Sequence, residues 1–305
     1  MTGELLALGA AFAFGMSSVA IAKGARKASA ESGVFLSAIL TGVLSGAAWM
    51  RFPGGAAWDS WEQVAWGAIG WFVVSGLLAT VGGRITMFRS IEFAGVIRAS
   101  TTRRLMPLMS LLLSWLVLDE RISLAGGGGM ALIVISFVLL YQDNRSSIRT
   151  SDDDPQRQAM ISRGLAFGVA SALLYAVSFI ARKFGLASAP SALFGAFVGS
   201  LTAIGFYVAA AVVSGRYRSI VANALTMPNP WQLAAALLLS AGQLSQFGAL
   251  MYTSIGRVAF INSVEVYIAA FLSVAVFGTE KMPGRLVILA TIFATAGVLV
   301  LAAGW

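Results

Sequence analysis

Apolar residues run along this chain in blocks, not in alternation. Ten stretches are long and apolar enough to cross a bilayer, at about 4–22, 33–50, 64–83, 94–118, 124–141, 164–181, 191–213, 232–253, 258–278 and 284–303. A helical crossing takes roughly 17 to 25 residues, and every block fits that window. Helix breakers fall between blocks or at their edges: Pro53-Gly54-Gly55, Pro190, Pro228-Asn229-Pro230 and Pro283-Gly284. The blocks show no period of two, so a transmembrane barrel is excluded. The pattern predicts an all-α integral membrane protein with ten transmembrane helices.

One long polar stretch, QDNRSSIRTSDDDPQRQAMIS at 142–162, divides the spans five and five. The two sides echo each other. Trp115-Leu116-Val117-Leu118-Asp119-Glu120-Arg121-Ile122 aligns with Ala275-Val276-Phe277-Gly278-Thr279-Glu280-Lys281-Met282, each an apolar run ended by an acid, a base and an apolar residue. Ile21-Ala22-Lys23 likewise aligns with Ile180-Ala181-Arg182 at the ends of spans 1 and 6. Five is odd, so a second copy enters the membrane the opposite way up, which makes an inverted five-plus-five repeat. The expected organisation is 1–141 as the first unit, 142–162 as a polar linker and 163–305 as the second unit.

Composition agrees with the pattern. The 305 residues are 58% hydrophobic and 11% charged, where soluble domains carry about 25% charged residues. With no cysteine and no histidine, disulfides, thiolate or imidazole metal sites and Cys- or His-based nucleophiles are excluded. No cofactor is expected. The net charge of +8 reflects loop Lys and Arg and does not point to nucleic acid. With Arg285, at the mouth of span 10, counted with the loop before it, thirteen of the 21 lie in odd-numbered loops and five in even-numbered ones, which favours cytoplasmic odd loops and both termini outside. The opening MTGELLALGAAFAFG lacks a basic start and a clear cleavage site, and reads as a retained first helix.

The remaining three basic residues, Arg98, Arg103 and Arg104, fall inside span 4. The apolar run Leu105–Leu118 is 14 residues long, about 21 Å of helix against a hydrocarbon core of about 30 Å. The missing length has to include Arg103 and Arg104, which then lie near mid-depth. A lone Arg there costs about 2.5–3.5 kcal/mol on insertion scales, so the pair is expected to face protein, water or an anion. Among the acids, Glu265 stands apart, roughly 10 Å inside span 9, with Asn262 three residues earlier on the same face. Span 9 is the counterpart of span 4, so Glu265 and the Arg pair should approach one another. A purely structural Arg–Glu lock is the competing account.

The chain resembles the EamA-type members of the drug/metabolite transporter superfamily over nearly its whole length. The resemblance rests on the five-plus-five count, Pro107 in span 4, the two helix-end signatures and the glycine-rich opening of span 5, Ala125 to Gly129. The second unit has Tyr267 where the first has the proline. The resemblance implies a ten-helix carrier with a central cavity lined by both units. A related branch that carries phosphorylated sugars uses a basic pair on a central helix, and Arg103-Arg104 is the analogue here, on span 4. Small multidrug relatives use an acid in helix 1, where this chain has only Glu4 at the very start.

The candidate substrate-binding residues are Arg103, Arg104, Glu265, Asn262, Tyr175, Gln243 and Gln246. The last three come from polar stripes, Ser171-Tyr175-Ser178 on span 6 and Ser240-Gln243-Gln246 on span 8, that serve substrate contact or interhelical hydrogen bonding equally well. Arg84, near the end of span 3, can approach either the cavity or the interface. Gly42-x-x-x-Gly46 and Gly195-x-x-x-Gly199 are assigned to packing, and Glu120 and Glu280 to the N-termini of the following helices.

The expectation is a secondary active transporter, an exporter or exchanger, working by alternating access. Its substrates would be small organic metabolites, anionic or zwitterionic such as amino acids. Its other partners would be membrane lipids and, as an option, coupling protons at Glu265. The chain would be multi-pass in a bacterial inner (cytoplasmic) membrane, a monomer or weak dimer. The alternatives are a cationic drug or metabolite efflux carrier, a channel, or an enzyme. The last would have to run on Glu265 and hydroxyls alone, so no catalytic residue is assigned.

Overall fold

The computed structural model describes residues 2–25, 30–51, 66–103, 105–118, 124–149, 155–226, 229–252, 258, 261–262, 264–278 and 284–303. Among these the secondary structure is helical, with no strand. The helices are α1 Thr2–Ala25, α2 Ala30–Arg51, α3 Trp66–Ala94, α4 Val96–Arg103, α5 Leu105–Leu118 and α6 Leu124–Arg149. They continue as α7 Pro155–Ser188, α8 Ala192–Val213, α9 Gly215–Thr226, α10 Pro230–Tyr252, α11 Glu265–Phe271 and α12 Arg285–Ala303. Five described helices are long and apolar enough to cross a membrane, and four shorter apolar helices accompany them.

Polarity is arranged inside out. Large apolar side chains such as Leu5, Met50, Trp66 and Val213 are exposed, while Ser37, Thr41, Ser75, Ser200, Ser240 and Ser273 are buried. Water would invert that arrangement; hydrocarbon favours it, because polar groups in a lipid-embedded helix find partners only inside the bundle. The fold is that of a multi-pass membrane protein.

Three boundaries differ from the sequence expectation. Span 3 does not stop at 83 but runs on to Ala94. It ends where Gly95 takes a φ of 84°, a left-handed conformation that glycine adopts without steric cost. Arg84 is therefore mid-helix, not near a helix end. Span 6 likewise passes Arg182 and Lys183 to reach Ser188. The true stop is set by Pro190, after which Ser191 caps α8 by accepting a hydrogen bond from the Phe194 amide at 3.3 Å. Finally, much of the polar stretch 142–162 is helical, as the end of α6 and the start of α7. Polar sequence ends a membrane crossing without ending a helix.

The helices pack in pairs: α1 along α10, α3 along α7, α2 along α8, α6 along α12, and α4 against α11. Small residues allow the close approaches. A Cβ on Gly76 would lie 2.6 Å from the Gly199 carbonyl oxygen, and one on Gly297 would lie 2.7 Å from that of Gly129. The glycines expected to serve packing at 42, 46 and 195 meet Ser200, Phe197 and Phe72 respectively.

Candidate functional site

Within α3, residues Gly76–Gly83 form a π-helical stretch. Extra residues per turn rotate the next side chains relative to a plain α-helix, and the first of these is Arg84. Ser171 of α7 secures this point by donating to the Gly83 carbonyl at 3.0 Å. The Arg84 side chain is only 2% exposed. It donates to Ser37 Oγ at 2.7 Å, to Thr41 Oγ1 at 3.3 Å and to Gln243 Oε1. All of these acceptors are neutral.

Arg182 is a second buried guanidinium, 3% exposed. Its Nε donates to Ser75 Oγ at 3.0 Å, its guanidinium stands 4.4 Å from the Phe247 ring centroid and 5.3 Å from that of Phe179, and its Nη1 has no partner. Its neighbour Lys183 is exposed. Adjacent helical positions point about 100° apart, so one charge goes inward and the other outward.

Arg103, the last residue of α4, donates from Nη1 to Glu265 Oε1 at 2.6 Å. The carboxylate is the first side chain of α11 and is buried. The Arg103 guanidinium also approaches the rings of Tyr175 and Phe14, at 5.7 and 5.9 Å, and its Nε has no partner.

These arginines converge. Arg84, Arg103 and Arg182 line one pocket together with Tyr175, Gln243 and Gln246, closed by Phe14, Met87, Met106, Phe179 and Leu239. It encloses about 390 Å³ of unfilled space, part of it open to solvent. No carboxylate lines it among the described residues; Glu265 stands behind Arg103. Of the sequence candidates, Arg103, Tyr175, Gln243 and Gln246 are in the lining, and Glu265 is one bond away. Asn262 is buried with its Oδ1 unpartnered but is not in the lining. Arg104 lies outside the described residues, as do Glu120 and Glu280. Ser240 of the same stripe bonds Thr41 instead, at 2.9 Å.

Sequence reasoning leaves Arg84 near the end of span 3, open to the cavity or the interface, and sets Arg182 at the end of span 6, because a charge interrupts the apolar run at each place. The available signal is the apolar sequence beyond them, Phe184-Gly185-Leu186-Ala187 after Arg182 and Ile85-Thr86-Met87-Phe88 after Arg84.

One end of the bundle is tied shut. Glu31 accepts from Arg89 at 2.5 Å and from Arg216 at 2.8 Å, which joins α2, α3 and α9. Lys23, at the end of α1, sits 4.4 Å from the Trp231 ring and 4.1 Å from the Phe277 ring.

A bundle with a polar, arginine-lined centre and apolar exterior is the architecture of a membrane carrier, and the family comparison bears on that directly. The model of the EamA-like transporter family matches residues 1–142. This part of the chain is similar to the EamA-like transporter family. It contains Arg84 and Arg103; Arg182 and Glu265 lie beyond it. No curated protein matches the chain. A solved crystal structure aligns over 98% of this chain and 96% of its own, at a TM-score of 0.55 and 17% identity. At that identity the likeness shows the fold alone, and it extends over both sides of the 142–162 stretch. The match over residues 1–142 is consistent with a membrane transporter of the drug/metabolite transporter superfamily.

Proposed function

We propose that this EamA-like chain is a secondary carrier for small organic anions, working by alternating access between two inverted five-helix units, 1–141 and 163–305. The observation that carries the reading is the pocket itself: three guanidinium groups on the lining, with a single carboxylate bonded to one of them. Buried ions are retained where they are paired or meet a charged ligand. An anionic guest supplies the missing charge. A cationic substrate would meet net positive charge, and an amino-acid-like zwitterion would find Glu265 already occupied by Arg103, so the anionic class is favoured within the range that the sequence suggests.

The helix pairs support the two-unit reading. Under a five-plus-five correspondence, the α1–α10 contact of spans 1 and 8 is the mirror of the α3–α7 contact of spans 3 and 6. The pairs α2–α8, α6–α12 and α4–α11 each map onto themselves. Moving Arg84 and Arg182 into the bundle takes one charge from each tally and leaves the orientation favoured by loop charge as it was. A proton remains an option for coupling at Glu265, where burial favours the neutral acid and Arg103 the carboxylate.

The test is counterflow in proteoliposomes, with a panel of labelled organic anions, zwitterions and cations. A carrier shows saturable exchange of anions, and Arg84→Gln removes it while insertion stays normal. Unsaturable flux or current identifies a channel, and exchange confined to cations removes the anion reading.

A further inference from the structure

We infer that the guest is a dianion with a carboxylate at each end, held between Arg84 and Arg182; the inference rests on the anion-carrier reading and narrows it. The first argument is charge. Among the described residues the pocket holds three guanidiniums and one bonded carboxylate, which leaves two positive charges that meet hydroxyls, an amide and aromatic rings. A monoanion leaves one of those charges unanswered and a zwitterion leaves both, whereas a dianion leaves none. Unanswered charge in a low-dielectric interior costs several kcal/mol per ion.

The second argument is spacing. Arg84 is bonded to Gln243 and Arg182 is stacked on Phe247. Those two residues are four apart on α10, so they share a face and sit about 6 Å apart along the axis. The residues that hold the two guanidiniums thus stand about one helical turn apart on α10. That suits two carboxylates separated by a short chain better than one tetrahedral phosphate. Arg182 still has capacity, since its Nη1 has no partner, and guanidinium forks pair with carboxylates two bonds at a time. Met87, Met106, Phe179 and Leu239 supply apolar walls for the intervening carbons.

The experiment is a ligand ladder on the purified full chain, read by thermal shift and by counterflow, with succinate, glutarate, butyrate, glycerol phosphate and alanine as probes. The expected result is that a dicarboxylate stabilises and exchanges at least about tenfold more tightly than butyrate, a difference of about 1.4 kcal/mol. Arg182→Gln should erase that preference by lowering the dicarboxylate response to the level of butyrate, while Arg182→Lys keeps part of it. If butyrate matches the dicarboxylates on the wild-type chain, the dianion inference falls and the anion carrier stands. Preference for glycerol phosphate also overturns the dicarboxylate assignment. Response to none of the anions overturns both. The wild-type ladder decides even where a variant fails to insert.

Discussion

At the scale of single residues, the site turns on which charges have answering charges. Arg103 has one, at 2.6 Å; Arg84 and Arg182 have hydroxyls, an amide and rings. Removing one member of a buried ion pair strands the other, at a cost of about 3–5 kcal/mol, whereas replacing both with neutral groups is often close to neutral. Arg103→Ala is therefore expected to lower the melting temperature strongly, and Arg103→Ala combined with Glu265→Gln to recover most of it. A thermal-shift double-mutant cycle measures this, and additivity of the two changes would show the pair to be energetically idle. The pairing of Arg103 with Glu265 is legible in sequence, because both interrupt apolar runs at positions the repeat brings together. Arg84 and Arg182 are not separable there from ordinary flanking charges, since inward and outward arginines look alike in sequence until the helix limits are known.

At the scale of elements, the π-helical stretch Gly76–Gly83 decides where Arg84 points. Apolar periodicity makes span 3 legible, but no composition rule marks a π turn, and for that reason sequence alone sets Arg84 at the helix edge. Deleting one residue from the stretch, such as Leu78, allows an ordinary α-helical turn to form and swings the side chains beyond it by about 100°. The expected outcome is an inserted but transport-inactive protein, checked by counterflow alongside the melting profile. Retained transport would mean that the stretch does not aim the arginine. The same element shows how glycine placement and site geometry are joined: Gly76 touches the Gly199 backbone in α8, and eight residues later the helix presents its charge.

At the scale of the whole molecule, the helical class and the membrane setting are plain from hydrophobic blocks. The tied end is not legible, because Glu31, Arg89 and Arg216 are spread over three helices and each looks like a surface charge. Removing that carboxylate takes away the ion pairs of α2 with α3 and with α9 at once. In this cysteine-free chain a single Met87→Cys reporter in the pocket lining would be labelled faster by an impermeant maleimide from that face when Glu31→Gln is added. Unchanged labelling would show that the cluster does not bar entry. The bonds that fix the arginines have a further consequence. Arg84 reaches Gln243 and Arg103 reaches Glu265, each a handshake between sequence before the polar stretch and sequence after it. Under the proposed alternating access, a guest that claims those same donors would loosen the grip between the two halves of the sequence as it settles, so that filling the chamber and freeing it to rock become a single event.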